Sequence, residues 1–222
     1  LQTNGTLIDD DWGRFFHEHN FLIGLSLDGP QPMHDAFRVD KGGQPTWERV
    51  MHGLHTLQSH QVETNILCTV HAANAHMPLE LYRFFRDELH ANFLQFIPII
   101  ERATQESLPI ANIGWGARPG ELRPLYTQEG SLVTGRSVGA EQYGDFLIAI
   151  FDEWIRNDIG DTFVQIFDAT LGAHVGQYSL CIFAPTCGTA LALEHTGDVY
   201  SCDHYVEPDY LIGNIADRPL VE

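Results

Sequence analysis

The sequence predicts an α/β fold with a parallel sheet, followed by a small cysteine-rich region. Apolar runs of strand length alternate with stretches of helical period over residues 1–100, and strands and helices at this spacing form βαβ units. From Cys181 onward the chain changes to short strands and turns and holds three of its four cysteines. We therefore predict a domain boundary near Tyr178, with domains at 1–177 and 178–222.

The first domain begins with a strand end at Leu1–Asn4 and a helix over about Asp9–His19. Aspartates in the first turn support this prediction, because the helix dipole favours negative charge at the N-terminus. The near-continuous apolar run at 21–27 is typical of a strand buried on both faces. Asp28-Gly29-Pro30 ends this strand, and we interpret Asp28 as a turn residue rather than as a catalytic carboxylate. Helices are further predicted over 45–61, 77–90 and 140–157, strands over 62–70 and 92–100, and an irregular insertion over 102–139.

Composition excludes several classes of protein. The chain has 222 residues, with 30 Asp and Glu against 12 Lys and Arg, and a net charge of −18. Cations this few argue against nucleic-acid binding and against an anionic membrane surface. No run approaches the roughly 18 apolar residues of a spanning helix, and no secretory signal opens the chain. We expect a soluble, cytoplasmic protein, and because it begins at Leu1 we expect a fragment of a longer one.

The cysteines carry the strongest chemical signal. Cys181, Cys187 and Cys202 have the spacing C-x5-C-x14-C, and a hairpin turn at 196–198 would bring the last two thiolates together. A disulfide is disfavoured because one cysteine would be left over, whereas soft thiolates select zinc or iron-sulfur clusters. Three unrelated thiols remain an alternative. Cys68, alone in a strand, is expected to be a small buried hydrophobe.

The fuller pattern Cys181-x5-Cys187-x9-Gly197-x4-Cys202-Asp203 resembles the opening of the SPASM auxiliary-cluster domain of radical S-adenosylmethionine (SAM) enzymes. The resemblance is closest to the anaerobic sulfatase-maturating enzymes. Further stretches that resemble this family are Gln2–Leu7, Ser26–Pro30 with His34 and Arg38, Asn65–Cys68, Leu94–Ile97 and Asp203–Val206. The implied fold is a partial (β/α) barrel of radical SAM type followed by a SPASM cluster domain, both truncated.

The resemblance also implies missing parts. The family holds its SAM-cleaving cluster with a C-x3-C-x2-C motif, and no such motif lies between Leu1 and Glu222. The later cysteines that complete the auxiliary clusters are missing too, which leaves three ligands where a [4Fe–4S] cluster usually has four. We therefore expect the activity in a full-length parent and not in this chain alone.

The implied activity is oxidation of a sulfatase Cys or Ser to Cα-formylglycine, with SAM and [4Fe–4S] clusters as cofactors. The implied partners are a sulfatase polypeptide and an electron donor such as flavodoxin or ferredoxin. Asp203 matches the candidate catalytic base of the family, and an adjacent thiolate-ligated cluster should raise its pKa. On residue type alone, Asp203 would be a turn residue after the hairpin.

Five residues are candidates for binding SAM or substrate. Ser26 at a strand end and Arg38 beyond it could hold the amino-acid and ribose portions of SAM. Asn65 and Gln95 could reach cofactor or substrate from later strands, and Ile100 could contact adenine. Each of these residue types is also ordinary at a strand end or surface. The 12 histidines are interpreted as structural or solvated.

Two rival functions stay open. Another radical SAM peptide modifier, such as a thioether or cyclophane former, would share the cysteine spacing but is not expected to carry an acidic residue after the third cysteine. A non-enzymatic zinc module could instead use Cys181, Cys187, Cys202 and His204 as a closed Cys3His site. Metal content separates the zinc module from the two enzymes.

Overall fold

The computed structural model describes residues 1–114, 124–186 and 190–219. The chain divides into two compact units, Leu1–Ile166 and Phe167–Glu222. This division lies earlier than the predicted boundary near Tyr178. The helix that follows the last strand of the sheet crosses the division, and most of that helix belongs to the second unit.

The first unit contains a five-stranded sheet. Its elements in chain order are β1 (Gln2–Thr3), α1 (Asp10–Glu18), β2 (Leu22–Ser26), α2 (Gln31–His34), α3 (Trp47–Ser59), β3 (Glu63–Val70), α4 (Pro78–Arg83), β4 (Phe93–Pro98), β5 (Arg102–Ala103), α5 (Leu108–Ile113), α6 (Pro124–Thr127), β6 (Leu132–Val133), α7 (Ala140–Asn157) and β7 (Phe163–Val164). The sheet order is β1-β2-β3-β4-β7, and every neighbouring pair is parallel. The predicted α/β fold with a parallel sheet is confirmed.

The two faces of this sheet have different environments. Ile23 of β2 joins a buried apolar cluster with residues of α1 and α3, so one face is covered by helices. Side chains alternate along a strand, and Ser26, Leu67 and Gln95 are in register on β2, β3 and β4. These three residues therefore share the opposite face, which we call the inner face. Asn65 lies on it as well, in register with Gly24.

Some elements differ from the prediction. The helix predicted over 77–90 is α-helical only to Arg83 and then becomes a π-helical turn at Phe84–Glu88. The segment 102–139, expected to be irregular, holds a β5–β6 pair and two short helices around Ala103, Ala111 and Leu125. Elements this short show no hydrophobic period and therefore cannot be recognised from the sequence. The helix predicted over 140–157 is confirmed as α7.

A network of ionic and hydrogen-bonding side chains connects α4 and the π-helical turn after it to the end of α7. It includes Asp158, on the loop between α7 and the amino end of β7. The Tyr82 hydroxyl donates to Asp158 at 2.8 Å. The Nη1 of Arg86 donates to Glu153 and to Asp158, each at 2.9 Å, and its Nε and Nη2 donate to Asp87. All three guanidinium nitrogens of Arg86 are therefore bonded to carboxylates.

The second unit begins at Phe167, within α8 (Gln165–His174). It continues with β8 (Ala192–Leu193), β9 (Asp198–Tyr200) and β10 (Leu211–Asn214). These strands form an antiparallel sheet in the order β10-β9-β8. The Glu194 N–H donates to the Asp198 carbonyl at 2.9 Å, and Gly197 has φ +89° in the turn. The predicted hairpin turn at 196–198 is confirmed. Across the described part of both units, no helix is long and apolar enough to cross a membrane.

Candidate functional site

Polar side chains gather at the carboxyl ends of β2 and β3. Ser26 is the last residue of β2 and is half-buried. Asp28 lies two residues further along the chain. In folds built of βα units, functional groups collect at this edge because the loops that follow the strands meet there. Two of the predicted SAM-binding residues, Ser26 and Arg38, lie at or beyond this edge.

Asp28 is the centre of the polar cluster, with only 1% of its surface exposed. Its Oδ2 accepts from Arg38 Nε at 2.5 Å, and its Oδ1 accepts from Arg38 Nη2 at 3.0 Å and from the Thr69 N–H at 2.8 Å. Arg38 Nη2 also donates to Thr69 Oγ1 at 3.0 Å. The sequence predicts a turn here rather than a functional carboxylate, and the structure adds that Asp28 holds a partly buried ion pair with Arg38.

The charge state of Asp28 follows from these contacts. Burial in the protein acts to raise the pKa of Asp28, but the adjacent His71 ring and the charge of Arg38 outweigh it and lower the pKa below its ordinary value. Asp28 is therefore ionised at neutral pH and neutralises the guanidinium it contacts.

His34 supports this cluster from α2. Its Nδ1 accepts the Asp28 N–H at 3.2 Å, and its Nε2 lies 3.1 Å from Thr46 Oγ1. The Thr46 hydroxyl donates its own proton to the Arg38 carbonyl at 2.7 Å, so Nε2 must be the donor and the ring is the neutral Nε2–H tautomer. Burial lowers the pKa of His34 to about 4. This agrees with the prediction that the histidines are structural.

Asn74 joins the ends of β2 and β3. Its Nδ2 donates to the carbonyls of Asp28 at 3.1 Å and Thr69 at 2.9 Å, and its Oδ1 accepts the His71 N–H at 2.9 Å. The ring Nε2 of His71 lies 3.6 Å from Asp28 Oδ2. Sequence reasoning missed His71 and Asn74 as members of the site. The one local signal of a polar cluster here was Asp28, a carboxylate placed directly after the apolar run at 21–27.

Asn65 and Gln95 lie on the inner face of the sheet, away from the helices. The Oδ1 of Asn65 is buried and has no hydrogen-bond partner among the described residues. A buried acceptor without a donor is costly, so this atom fits a donor brought by a bound molecule. Gln95 is half-buried and shares its rung of the sheet with Ser26. Ile100 lies beyond the end of β4, 55% exposed.

The candidate metal ligands belong to the second unit. Cys202 is buried, Cys181 is half-buried, and Cys187 lies outside the described residues. The Cys202 thiol donates to Asp203 Oδ1 at 3.5 Å, and His204 Nδ1 lies 3.0 Å from the same oxygen. The ligand atoms of Cys202, Asp203 and His204 all lie within 4.8 Å of one another. Soft thiolates of this kind suit iron-sulfur clusters and zinc alike.

The pKa of Asp203 differs from the expectation. We expected a cluster to raise it, whereas here hydrogen bonding from the Cys202 thiol, followed by the nearby His204, lowers the pKa of Asp203 below its ordinary value. The physical reason is the protonated thiol, which donates a hydrogen bond to the carboxylate. A thiolate bound to iron would have no proton to donate and would repel it.

A parallel α/β sheet with polar groups at the carboxyl ends of its strands, followed by a cysteine-rich unit, is the arrangement expected from the resemblance to partial-barrel proteins of radical SAM type. The chain is 44% identical, over all of its length and 51% of the relative's, to a serine-type anaerobic sulfatase-maturating enzyme of Bacteroides thetaiotaomicron. It is 34% identical, over its full length and 54% of the relative's, to a cysteine-type enzyme of Clostridium perfringens. No protein-family model matches the chain.

Solved structures agree with these relatives. Native anSMEcpe with bound AdoMet and Cp18Cys peptide has a TM-score of 0.80 and 32% sequence identity, covering 99% of this chain and 55% of that one. Native anSMEcpe with bound AdoMet alone has a TM-score of 0.78 over 99% of this chain and 54% of that one. Over its whole length the chain is similar to anaerobic sulfatase-maturating enzymes of both the serine and the cysteine type. It spans about half the length of the curated relatives it matches.

Proposed function

We propose that this chain is part of a radical SAM oxidoreductase that converts a Cys or Ser of a sulfatase polypeptide to Cα-formylglycine. The observation that carries the proposal is the 44% identity to a sulfatase-maturating enzyme over the whole chain. The chain would supply part of the SAM-binding barrel and the first ligands of an auxiliary iron-sulfur cluster. The complete activity belongs to the full-length parent.

The first unit would bind SAM. The Ser26 hydroxyl and the Arg38 guanidinium would hold its amino-acid and ribose portions, because both lie at the carboxyl edge of the sheet. Asn65 and Gln95 would reach the cofactor or the substrate from the inner face, and the unpartnered Oδ1 of Asn65 fits this role. Ile100, exposed beyond β4, would contact adenine. The chemistry that bound SAM supplies is hydrogen abstraction from the substrate Cβ.

The second unit would complete the oxidation. After hydrogen abstraction the substrate must still lose one electron and one proton to become an aldehyde or thioaldehyde. Cys181, Cys187 and Cys202 would hold the cluster that takes the electron. Asp203 would accept the proton from the substrate hydroxyl or thiol, since its carboxylate is exposed and directly follows Cys202.

The parent would also need partners. A sulfatase polypeptide is the proposed substrate, because relatives of both the serine type and the cysteine type match the chain. Reductive cleavage of SAM requires an electron donor such as flavodoxin or ferredoxin, and we place the protein in the cytoplasm, where such donors occur. The close grouping of Cys202, Asp203 and His204 favours a zinc-binding module as the second candidate function.

The test uses the full-length parent, reconstituted without oxygen and incubated with SAM, a reductant and a peptide with a Cys/Ser-x-Pro-x-Arg motif. Mass spectrometry should find formylglycine together with 5'-deoxyadenosine. Deoxyadenosine without formylglycine would keep the radical SAM class and shift the function to another peptide modification. Neither product, with one zinc per chain, would establish the zinc module instead.

A further inference from the structure

Asp28 contacts the predicted SAM-binding arginine through both of its carboxylate oxygens. We propose that Asp28 is a positioning residue for Arg38: it holds the guanidinium in the orientation that binds the carboxylate of the amino-acid portion of SAM. The inference rests on the proposed function, since it requires that the parent bind SAM. It adds a residue that the sequence pattern had assigned to a turn.

The hydrogen bonds of Arg38 divide its guanidinium into a fixed side and an open side. Nε and Nη2 are held by Asp28, and Nη2 is held by Thr69 as well. Nη1 makes no hydrogen bond to any described residue, so its two N–H groups are available to a ligand. The Arg38 side chain is 27% exposed, so this open side can be reached.

The surroundings of Arg38 agree with an accessible donor. Arg38 lines a cavity of about 250 Å³ together with Asn4 and Thr6, the residues that follow β1. The cavity therefore opens at the carboxyl edge of the sheet. An arginine side chain without a partner would lose rotamer entropy on binding a ligand. The contacts to Asp28 and Thr69 fix the side chain beforehand, which removes that cost from the binding step.

A positioning role and a charge effect predict opposite results. Asp28 is buried and ionised, and it partly cancels the positive charge that would attract the SAM carboxylate. If charge alone mattered, Asp28→Asn would tighten SAM binding. If Asp28 acts by orienting Arg38, Asp28→Asn weakens SAM binding, because the amide offers one acceptor oxygen in place of two.

The experiment measures ligand binding to the reconstituted full-length parent by equilibrium dialysis. The ligands are SAM and 5'-methylthioadenosine, which keeps the adenine and ribose but lacks the amino-acid portion. We expect Asp28→Asn to raise the Kd for SAM about tenfold and to leave the Kd for methylthioadenosine within about twofold. Arg38→Gln should give a similar pattern. The double variant should bind SAM no more weakly than Arg38→Gln alone, because Asp28 acts through Arg38.

Asp158→Asn is the matched control. Asp158 is also a buried carboxylate paired with an arginine, Arg86, but it lies at the amino edge of the sheet. This variant should lose stability without any change in the Kd for SAM. Thr69→Val is a milder variant that removes one acceptor of Arg38 Nη2 and should raise the Kd for SAM about threefold.

Each outcome decides a different claim. A wild-type parent that binds no SAM would overturn the proposed function and this inference together. An Arg38→Gln variant that binds SAM normally would remove the role of Arg38, and that of Asp28 with it. A weakened Arg38→Gln beside an unchanged or tighter Asp28→Asn would overturn the positioning role alone. If Asp28→Asn does not fold, Asp28→Glu, which keeps the charge but displaces the carboxylate from Arg38, replaces it, and an unchanged Kd for SAM in that variant would overturn the positioning role.

Discussion

Two candidate functional carboxylates, Asp28 in the first unit and Asp203 in the second, have opposite surroundings within their own units. Asp28 is 1% exposed and its oxygens accept three hydrogen bonds, from two nitrogens of Arg38 and the N–H of Thr69. The Asp203 side chain is 68% exposed and contacts its sequence neighbours Cys202 and His204. A carboxylate saturated with buried partners can hold another group in place, whereas an exposed one is free to accept a proton from a substrate.

Replacing Asp203 should give the largest effect on activity. Asp203→Asn in the full-length parent should lower formylglycine formation about a thousandfold, since the amide cannot accept the substrate proton. Formation of 5'-deoxyadenosine should continue, because all the residues proposed to bind SAM lie in the first unit. Both products are measured by mass spectrometry in one reaction. A normal yield of formylglycine would show that Asp203 is not the proton acceptor, and the proposed difference in role between Asp203 and Asp28 would then be wrong.

Replacing Asp28 should give the largest effect on stability. Asp28→Asn leaves the partly buried Arg38 without its counter-charge, and we expect the free energy of unfolding to fall by about 3 kcal/mol. Asp11→Asn is the control, because its ion pair with Arg14 is exposed and should contribute little. Urea unfolding of the two variants and the wild type measures the difference. Equal stabilities for all three would show that the Asp28 ion pair does not stabilise the fold.

The carboxyl edge around Asp28 also predicts a pH dependence. His34 is buried and neutral with a pKa of about 4, against an ordinary value of 6.5. Because the unfolded chain binds the proton first, stability should fall as the pH drops from about 6.5 to 4, by about 2 kcal/mol. The lowered pKa of Asp28 adds a further loss at lower pH, when that carboxylate becomes protonated.

The variant His34→Gln isolates the histidine, since glutamine can accept the Asp28 N–H and donate to Thr46 but does not titrate. Its urea midpoint should change less between pH 6.5 and 4 than that of the wild type. The same pH slope in both proteins would assign the acid sensitivity to other groups.

The sequence predicted the strands and the parallel sheet better than it predicted the contacts of the site. The apolar run of β2 and its polar end were visible locally, as was the hairpin turn at Gly197. The partners of Asp28 were not, because Arg38 and Thr69 lie 10 and 41 residues away along the chain and meet it only once β2 and β3 pair. The π-helical turn after Arg83 has no local signal either, since α and π turns share the same apolar residues.

The smallest expected effect tests the nature of the metal site beside Asp203. His204 Nδ1 lies 3.6 Å from Cys202 Sγ, so it could complete a Cys3His zinc site with Cys181 and Cys187. An iron-sulfur cluster in the parent would instead use cysteine thiolates, and His204 would only face Asp203. His204→Ala should therefore leave the iron content of the reconstituted parent, measured by plasma mass spectrometry, and its absorption near 400 nm unchanged. A zinc-containing wild type that loses its zinc in this variant would assign the cysteines to a structural site, and the exposed carboxylate of Asp203 would then have no electron acceptor beside it.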